Sequence, residues 1–260
     1  MPREDSAQAY EITRYQKKIG SILYAAVITR PDIAFAASRL SRFLTNPGPI
    51  HQEAVDRVLL YLQRTQGLAL QLGGEDDLVV ASDASFADNT LDRKSSQAYV
   101  MKLFGGLIGW RASKQDTVTT STTEAELLAL SQAAKEALYV SRLIMELSVR
   151  LDDQRIRIQC DNHQTIRPVT AEIALLQTKL RHVDIHNHWL RQEVSTGRIT
   201  VEYTPSQDML ADGLTKALQN NAFERFVCQL GLIDITQKLD QRRQELQELE
   251  VDEYLETGPK

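Results

Sequence analysis

Apolar residues recur at helical spacing through the first 72 positions and then give way to the shorter runs of β-strands. Ile12, Tyr15, Ile19, Ile22, Leu23 and Ala26 mark one face of a helix over residues 10–26. Pro31 and Asp32 start a second helix, whose apolar side holds Ile33, Phe35, Ala36, Leu40 and Phe43 and which Asn46-Pro47-Gly48-Pro49 breaks. Val55, Val58, Leu59 and Leu62 define a third over residues 50–66, stopped by Gly67. The polar residues 73–77 read as a linker, so a domain boundary is expected there.

Beyond the linker the pattern alternates between strands and helices. Residues 78–82 form an apolar run fit for a central strand, and residues 97–103 and 107–110 are joined across Gly105-Gly106 as a hairpin. Ser121-Thr122-Thr123-Glu124 is a capping box that opens a helix reaching about Met145. Residues 155–160 and 198–203 are a fourth and a fifth strand. Between them lies a helical stretch over 171–196 closed by Gly197, and residues 206–218 read as one further helix. This order predicts an α/β fold, a mixed five-stranded sheet flanked by helices over residues 78–220, preceded by a small all-helical segment over 1–72. Residues 221–260 form a charged helical tail whose apolar positions, Ile235, Leu239, Leu246 and Leu249, are too irregular for a coiled coil. A mobile or weakly docked tail is expected.

Composition narrows the setting. The 260 residues, 42% of them hydrophobic, suffice for one large or two modest domains. No apolar run approaches a membrane span, and MPREDSAQAY has neither a signal-peptide nor a transit-peptide character, so the expected location is intracellular, cytoplasm or nucleus. Cys160 and Cys228 stand alone, which argues against a disulfide framework or a cysteine-rich zinc site and predicts two buried thiols. The formal charge of −5 is uneven: residues 231–260 carry eight acids against four bases, whereas residues 1–72 carry nine bases against six acids. The balance permits nucleic acid as a partner without requiring it.

Four acids occupy places from which carboxylates could converge. Asp83 and Asp161 end strand-like runs, Glu126 lies one turn inside the long helix, and Asp212 opens another helix. At an effective dielectric of about 20, two unit charges about 4 Å apart repel by about 4 kcal/mol, so such a site calls for divalent cations. Bound Mg2+ would relieve that repulsion and could activate a water against a phosphodiester. Asp88 and Asp92 read instead as solvated turn residues. His182, His186 and His188 read as structural or substrate-facing residues rather than zinc ligands, because a third ligand on their face is missing. Lys114, Lys179, Arg181 and Arg191 are candidate phosphate contacts in a nucleic-acid-binding surface. Core packing is the expected use of Trp110 and Trp189.

The phrases YQKKIGSILYAAVITRPDIAFAASRLSRF, SDASFADNTLDRKSSQAYV, GWRASKQDTVTTSTTEAELLAL, CDN, RHVDIHNHWLRQEV and VEYTPSQDMLADGLTK together resemble the Pol polyproteins of copia-type retrotransposons. Residues 78–218 are similar to their ribonuclease H domain, and residues 10–72 to the thumb or connection end of the reverse transcriptase before it. The resemblance implies a ribonuclease H-like fold and endonucleolytic cleavage of the RNA strand of an RNA–DNA hybrid. It also implies two Mg2+ ions, with Mn2+ as a substitute, held by Asp83, Glu126, Asp161 and Asp212, and a polymerase domain as a partner. Glu126 is chosen over Glu124 because Glu124 holds the third position of the capping box and the family's acid falls at the AEL phrase. No polymerase motif of the apolar-Tyr-x-Asp-Asp type occurs, so no DNA synthesis is expected. The chain departs from the family pattern at Ser85, Ala98 and His163, and has no histidine between Arg198 and Asp212. Two other readings stand beside the nuclease: an inactive nucleic-acid-binding remnant, and an interaction module acting through the C-terminal helix.

Overall fold

The computed structural model describes residues 5–74, 77–171 and 181–257. In chain order its elements are helices α1 (Ala9–Ile28), α2 (Ala34–Leu40) and α3 (Pro49–Arg64), strands β1 (Leu68–Leu70), β2 (Leu78–Ser85), β3 (Ser96–Leu103) and β4 (Gly106–Lys114), and helix α4 (Thr122–Glu146). Strand β5 (Ile156–Cys160), helices α5 (His163–Thr170) and α6 (Arg181–Ser195), strand β6 (Ile199–Tyr203), helices α7 (Asp212–Thr215) and α8 (Asn220–Gln229), strand β7 (Leu232–Asp234) and helix α9 (Thr236–Thr257) follow.

Five strands make one mixed sheet in the order β4-β3-β2-β5-β6. The β2–β3–β4 portion is antiparallel, whereas β5 and β6 add in parallel. Parallel addition needs a crossover, and α4 supplies it between β4 and β5. Central β2 is largely buried on both faces, which is why its first half, residues 78–81, is continuously apolar rather than alternating. The mixed five-stranded sheet flanked by helices is what the order of elements along the chain predicts, and a ribonuclease H-like fold is what the resemblance implies.

The hairpin turn falls one residue earlier than the Gly105-Gly106 reading. Leu103 pairs with Gly106, leaving Phe104 and Gly105 as the loop, with φ of 53° and 71°. Positive φ at both central residues is what a two-residue loop needs to match strand twist, and Gly105 adopts it without steric cost.

Two cores sandwich the sheet. On one face Leu78, Val80, Tyr99 and Met101 pack against Leu127, Leu130 and Ala134 of α4 and Val183 and Leu190 of α6. On the other, Ala81, Ala98, Val100 and Leu107 share a core with Tyr15, Ile19 and Ile22 of α1, Ala37 of α2, Leu214 of α7 and Phe226 of α8. The helices of residues 1–72 therefore cover a sheet face. Strand β1 adds a second tie by pairing antiparallel with β7, Leu68 opposite Asp234. Trp110 adds a third, its indole Nε1 donating to the Ala26 carbonyl at 2.7 Å.

An ion pair pins the start of α2. Arg30 and Asp32 are 6% and 4% exposed; the guanidinium donates to Asp32 at 3.0 and 2.7 Å, and Tyr61 donates to the same carboxylate at 2.7 Å. Asp32→Ala leaves the buried Arg30 charge without its carboxylate, an expected loss of about 3–5 kcal/mol. Urea unfolding of the variant checks this; a loss below about 1 kcal/mol contradicts it.

Several elements differ from the sequence expectation. Helix α5, capped by the Asn162 side chain on Gln164 N at 2.9 Å, begins directly after the CDN phrase. Residues 206–218 form a 3-10 turn (Ser206–Asp208) and the single-turn α7 instead of one helix, because Met209, Leu210 and Ala211 turn inward to the core. Cys160 is buried as expected, whereas Cys228 is exposed on α8. No described helix is long and apolar enough to cross a membrane.

A candidate metal centre

The parallel pairing of β2 with β5 and the start of α4 bring three carboxylates together. Asp83, in β2, is 1% exposed, and Glu126, on the second turn of α4, is 7% exposed. Asp161 directly follows β5 and is half-buried. One oxygen from each lies within 4.8 Å of those of the other two. Glu126 Oε2 is buried and has no hydrogen-bond partner among the described residues, whereas Asp161 accepts from Ser206 Oγ at 2.7 Å and Asp83 accepts from Thr215 Oγ1.

Electrostatics follow from that crowding. Burial first, then the neighbouring Asp83 and Asp161, pushes the Glu126 carboxyl up to about 9. Burial likewise pushes Asp83 up to about 6, with Lys216 opposing and Asp212 adding to the rise. Three oxygen donors, one of them buried and unpartnered, suit a hard divalent cation such as Mg2+ or Mn2+ better than zinc.

Asp212 stands beside this group rather than within it. It opens α7, and its Oδ1 takes an ion pair from Lys216 Nζ at 2.8 Å; the same Nζ lies 3.8 Å from Asp83 Oδ2. Lys216 is the residue that motif reading missed, although an acid and a base four apart in ADGLTK signal such a pair. Glu124 is held away from the group: its carboxylate accepts Thr120 N and Oγ1, both at 2.7 Å, while Ser121 Oγ caps its own amide.

Gly213, between Asp212 and Leu214, is packed against the Phe226 ring so closely that an added Cβ would overlap it. Gly213→Ala is expected to cost about 1–3 kcal/mol by overpacking, with partial recovery in the Gly213→Ala/Phe226→Leu double variant. Thermal melts of the two variants check this; equal losses contradict it.

The candidate phosphate contacts have varied settings. Arg181 is exposed at the start of α6, while Lys114 pairs with Asp92 at 2.6 Å and Arg191 donates to the Ala171 carbonyl at 3.1 Å. Lys179 lies outside the described residues. Asp88 is not a solvated turn residue, since it accepts Ser96 N at 2.7 Å and pairs with Arg39, whereas Asp92 does lie in a turn, where it accepts Lys94 N at 3.1 Å. Both carboxylates brace the segment after β2 by accepting backbone amides, those of Ser96 and Lys94. His186 Nδ1 lies 3.0 Å from Ser131 Oγ and His188 lies 3.8 Å from Asp184. The side chain of His182 lies outside the described residues. Among the described residues these histidines join no metal-ligand group. His163 stacks on Tyr203, with ring centroids 3.8 Å apart.

No protein-family model matches the chain. It is 37% identical over 211 residues to the retrovirus-related Pol polyprotein from transposon TNT 1-94 of Nicotiana tabacum, a match covering 81% of this chain and 16% of that protein. It is also 45% identical over 129 residues to the secreted RxLR effector protein 161 of Plasmopara viticola, covering 49% of this chain and 91% of that one. Among solved structures, the N-terminal RNase H domain of rv2228c from Mycobacterium tuberculosis superposes over 58% of this chain and 96% of its own, with 14% identity and a TM-score of 0.40. The chain thus spans about a sixth of the length of the Pol polyprotein it matches over most of its own. The chain's homologues are thus retrovirus-related Pol polyproteins from copia-type transposons, and this chain corresponds to one segment of them.

Proposed function

We propose that this chain hydrolyses the RNA strand of RNA–DNA hybrids, with Asp83, Glu126 and Asp161 as the cation-holding carboxylates and Asp212 as the fourth acid beside them. The observation that carries the reading is the convergence of one carboxylate oxygen each from Asp83, Glu126 and Asp161 within 4.8 Å of one another, with Glu126 Oε2 buried and unpartnered among the described residues. The similarity to Pol polyproteins supports the choice of substrate, since the phrases that resemble their ribonuclease H domain also hold these acids. Mg2+, or Mn2+ in its place, would lower the pKa of a bound water and neutralise charge on a scissile phosphate.

The chain's own residues prepare that chemistry. Thr215 fixes Asp83 and Ser206 fixes Asp161, so two carboxylates are oriented before any substrate arrives. Glu126 is seated by the first turns of α4, whose N-cap Ser121 holds the helix end. Arg181, with Lys114, Lys179 and Arg191, would contact phosphates without reading sequence. Residues 1–72 act as a structural cover on the sheet, and a polymerase domain of the same polyprotein is the natural neighbour. The test compares a labelled RNA in a hybrid with DNA against the same RNA alone, in magnesium. Hybrid-only cleavage is expected, and equal cleavage of both would remove the hybrid reading.

A further inference from the structure

The four acids implied by the family divide as three plus one, and Lys216 stands at the division. Its Nζ lies 2.8 Å from Asp212 Oδ1 and 3.8 Å from Asp83 Oδ2, so one ammonium bridges the fourth acid to the three-carboxylate group. The side chain is held from both directions. Lys216 directly follows Thr215, whose hydroxyl is on Asp83, and α7 is locked against Phe226 at Gly213. Neither carboxylate can move away cheaply, because Asp83 is buried in the central strand and Asp212 sits at the start of the locked turn.

Resting on the hydrolytic reading above, we infer that Lys216 is a built-in counter-cation that takes the second cation's place in the substrate-free protein. Asp83, Glu126 and Asp161 then form the one tight divalent site. An ammonium and a divalent ion cannot share the Asp83–Asp212 side without strong repulsion, because their charge product is twice that of two unit charges at the same separation. Lys216 is thus a positioning residue, acting on metal count and on the placement of Asp83 and Asp212.

The test is titration of the metal-free full chain with Mn2+, counting bound ions by calorimetry and electron paramagnetic resonance, for wild type, Lys216→Met and Lys216→Arg. The expected result is one ion for wild type, two for Lys216→Met with the first bound at least about tenfold more tightly, and one for Lys216→Arg, which keeps the charge. Thermal melts without metal check folding, and Lys216→Met is expected to melt lower and to recover on adding Mn2+. Two ions on the wild type, or one ion on a folded Lys216→Met, would overturn the inference while leaving the hydrolytic reading standing. No ion on the wild type would remove both. Failure of hybrid cleavage with the expected ion counts would remove the reading of function alone.

Discussion

Asp161→Asn is expected to lower hybrid cleavage about a thousandfold, equivalent to about 4 kcal/mol of lost transition-state stabilisation, while leaving the protein folded. Among the carboxylates of the group, Asp161 separates chemistry from folding best. It is half-buried, lies just past the end of β5 and is held by one hydroxyl, that of Ser206. An amide keeps the shape and can still accept that hydrogen bond, but it removes a negative oxygen from the three that converge. The expected stability change is within about 1 kcal/mol. Initial rates on a labelled hybrid at saturating magnesium, taken with urea unfolding, measure both. A folded variant that cleaves within tenfold of wild type would contradict the role given to Asp161.

The second large effect is a stability that falls as pH rises when no metal is present. Burial raises the Glu126 carboxyl from 4.5 to about 9 and Asp83 from 3.8 to about 6. Above pH 4.5 the unfolded chain has released the Glu126 proton while the folded chain keeps it until about pH 9. Folding then takes up a proton, so the stability present below pH 4.5 is lost progressively toward pH 9, by up to about 1.4 kcal/mol per pH unit. Asp83 adds a slope of the same sign between 3.8 and about 6. Magnesium binds the ionised carboxylates, so it is expected to flatten or reverse the slope. Glu126→Gln, which mimics the protonated form, is expected to flatten it without metal. Urea midpoints from pH 5 to 8.5 in chelator, for wild type and Glu126→Gln, test this; parallel profiles for the two proteins would contradict it.

Much of the sheet is legible from local pattern because its strands carry their own signal. The run VVASDAS, the hairpin around Phe104 and the Ser121 cap each specify an element within about ten residues. Strands β1 and β7 are not legible, since each is three residues long and exists only by pairing Leu68–Leu70 with Leu232–Asp234, far apart in the chain. Helix α5 is hidden by Pro168 within it, and α7 by the inward turn at Met209 to Ala211. The same limit applies to the first 72 residues. Their apolar stripes predict three helices, but only the folded chain shows those stripes packing on Ala81, Ala98 and Val100 of the sheet. At the site, residue type and context single out the four acids, while the Lys216 bridge depends on how α7 meets β2 and on no periodicity.

The most direct measurement of the central claim is cleavage of a labelled RNA–DNA hybrid in magnesium by the wild type and by Asp83→Asn, side by side. RNA fragments are expected from the wild type, none after chelation, and none from Asp83→Asn. Undiminished cleavage by Asp83→Asn would contradict a metal centre built on the Asp83, Glu126 and Asp161 carboxylates.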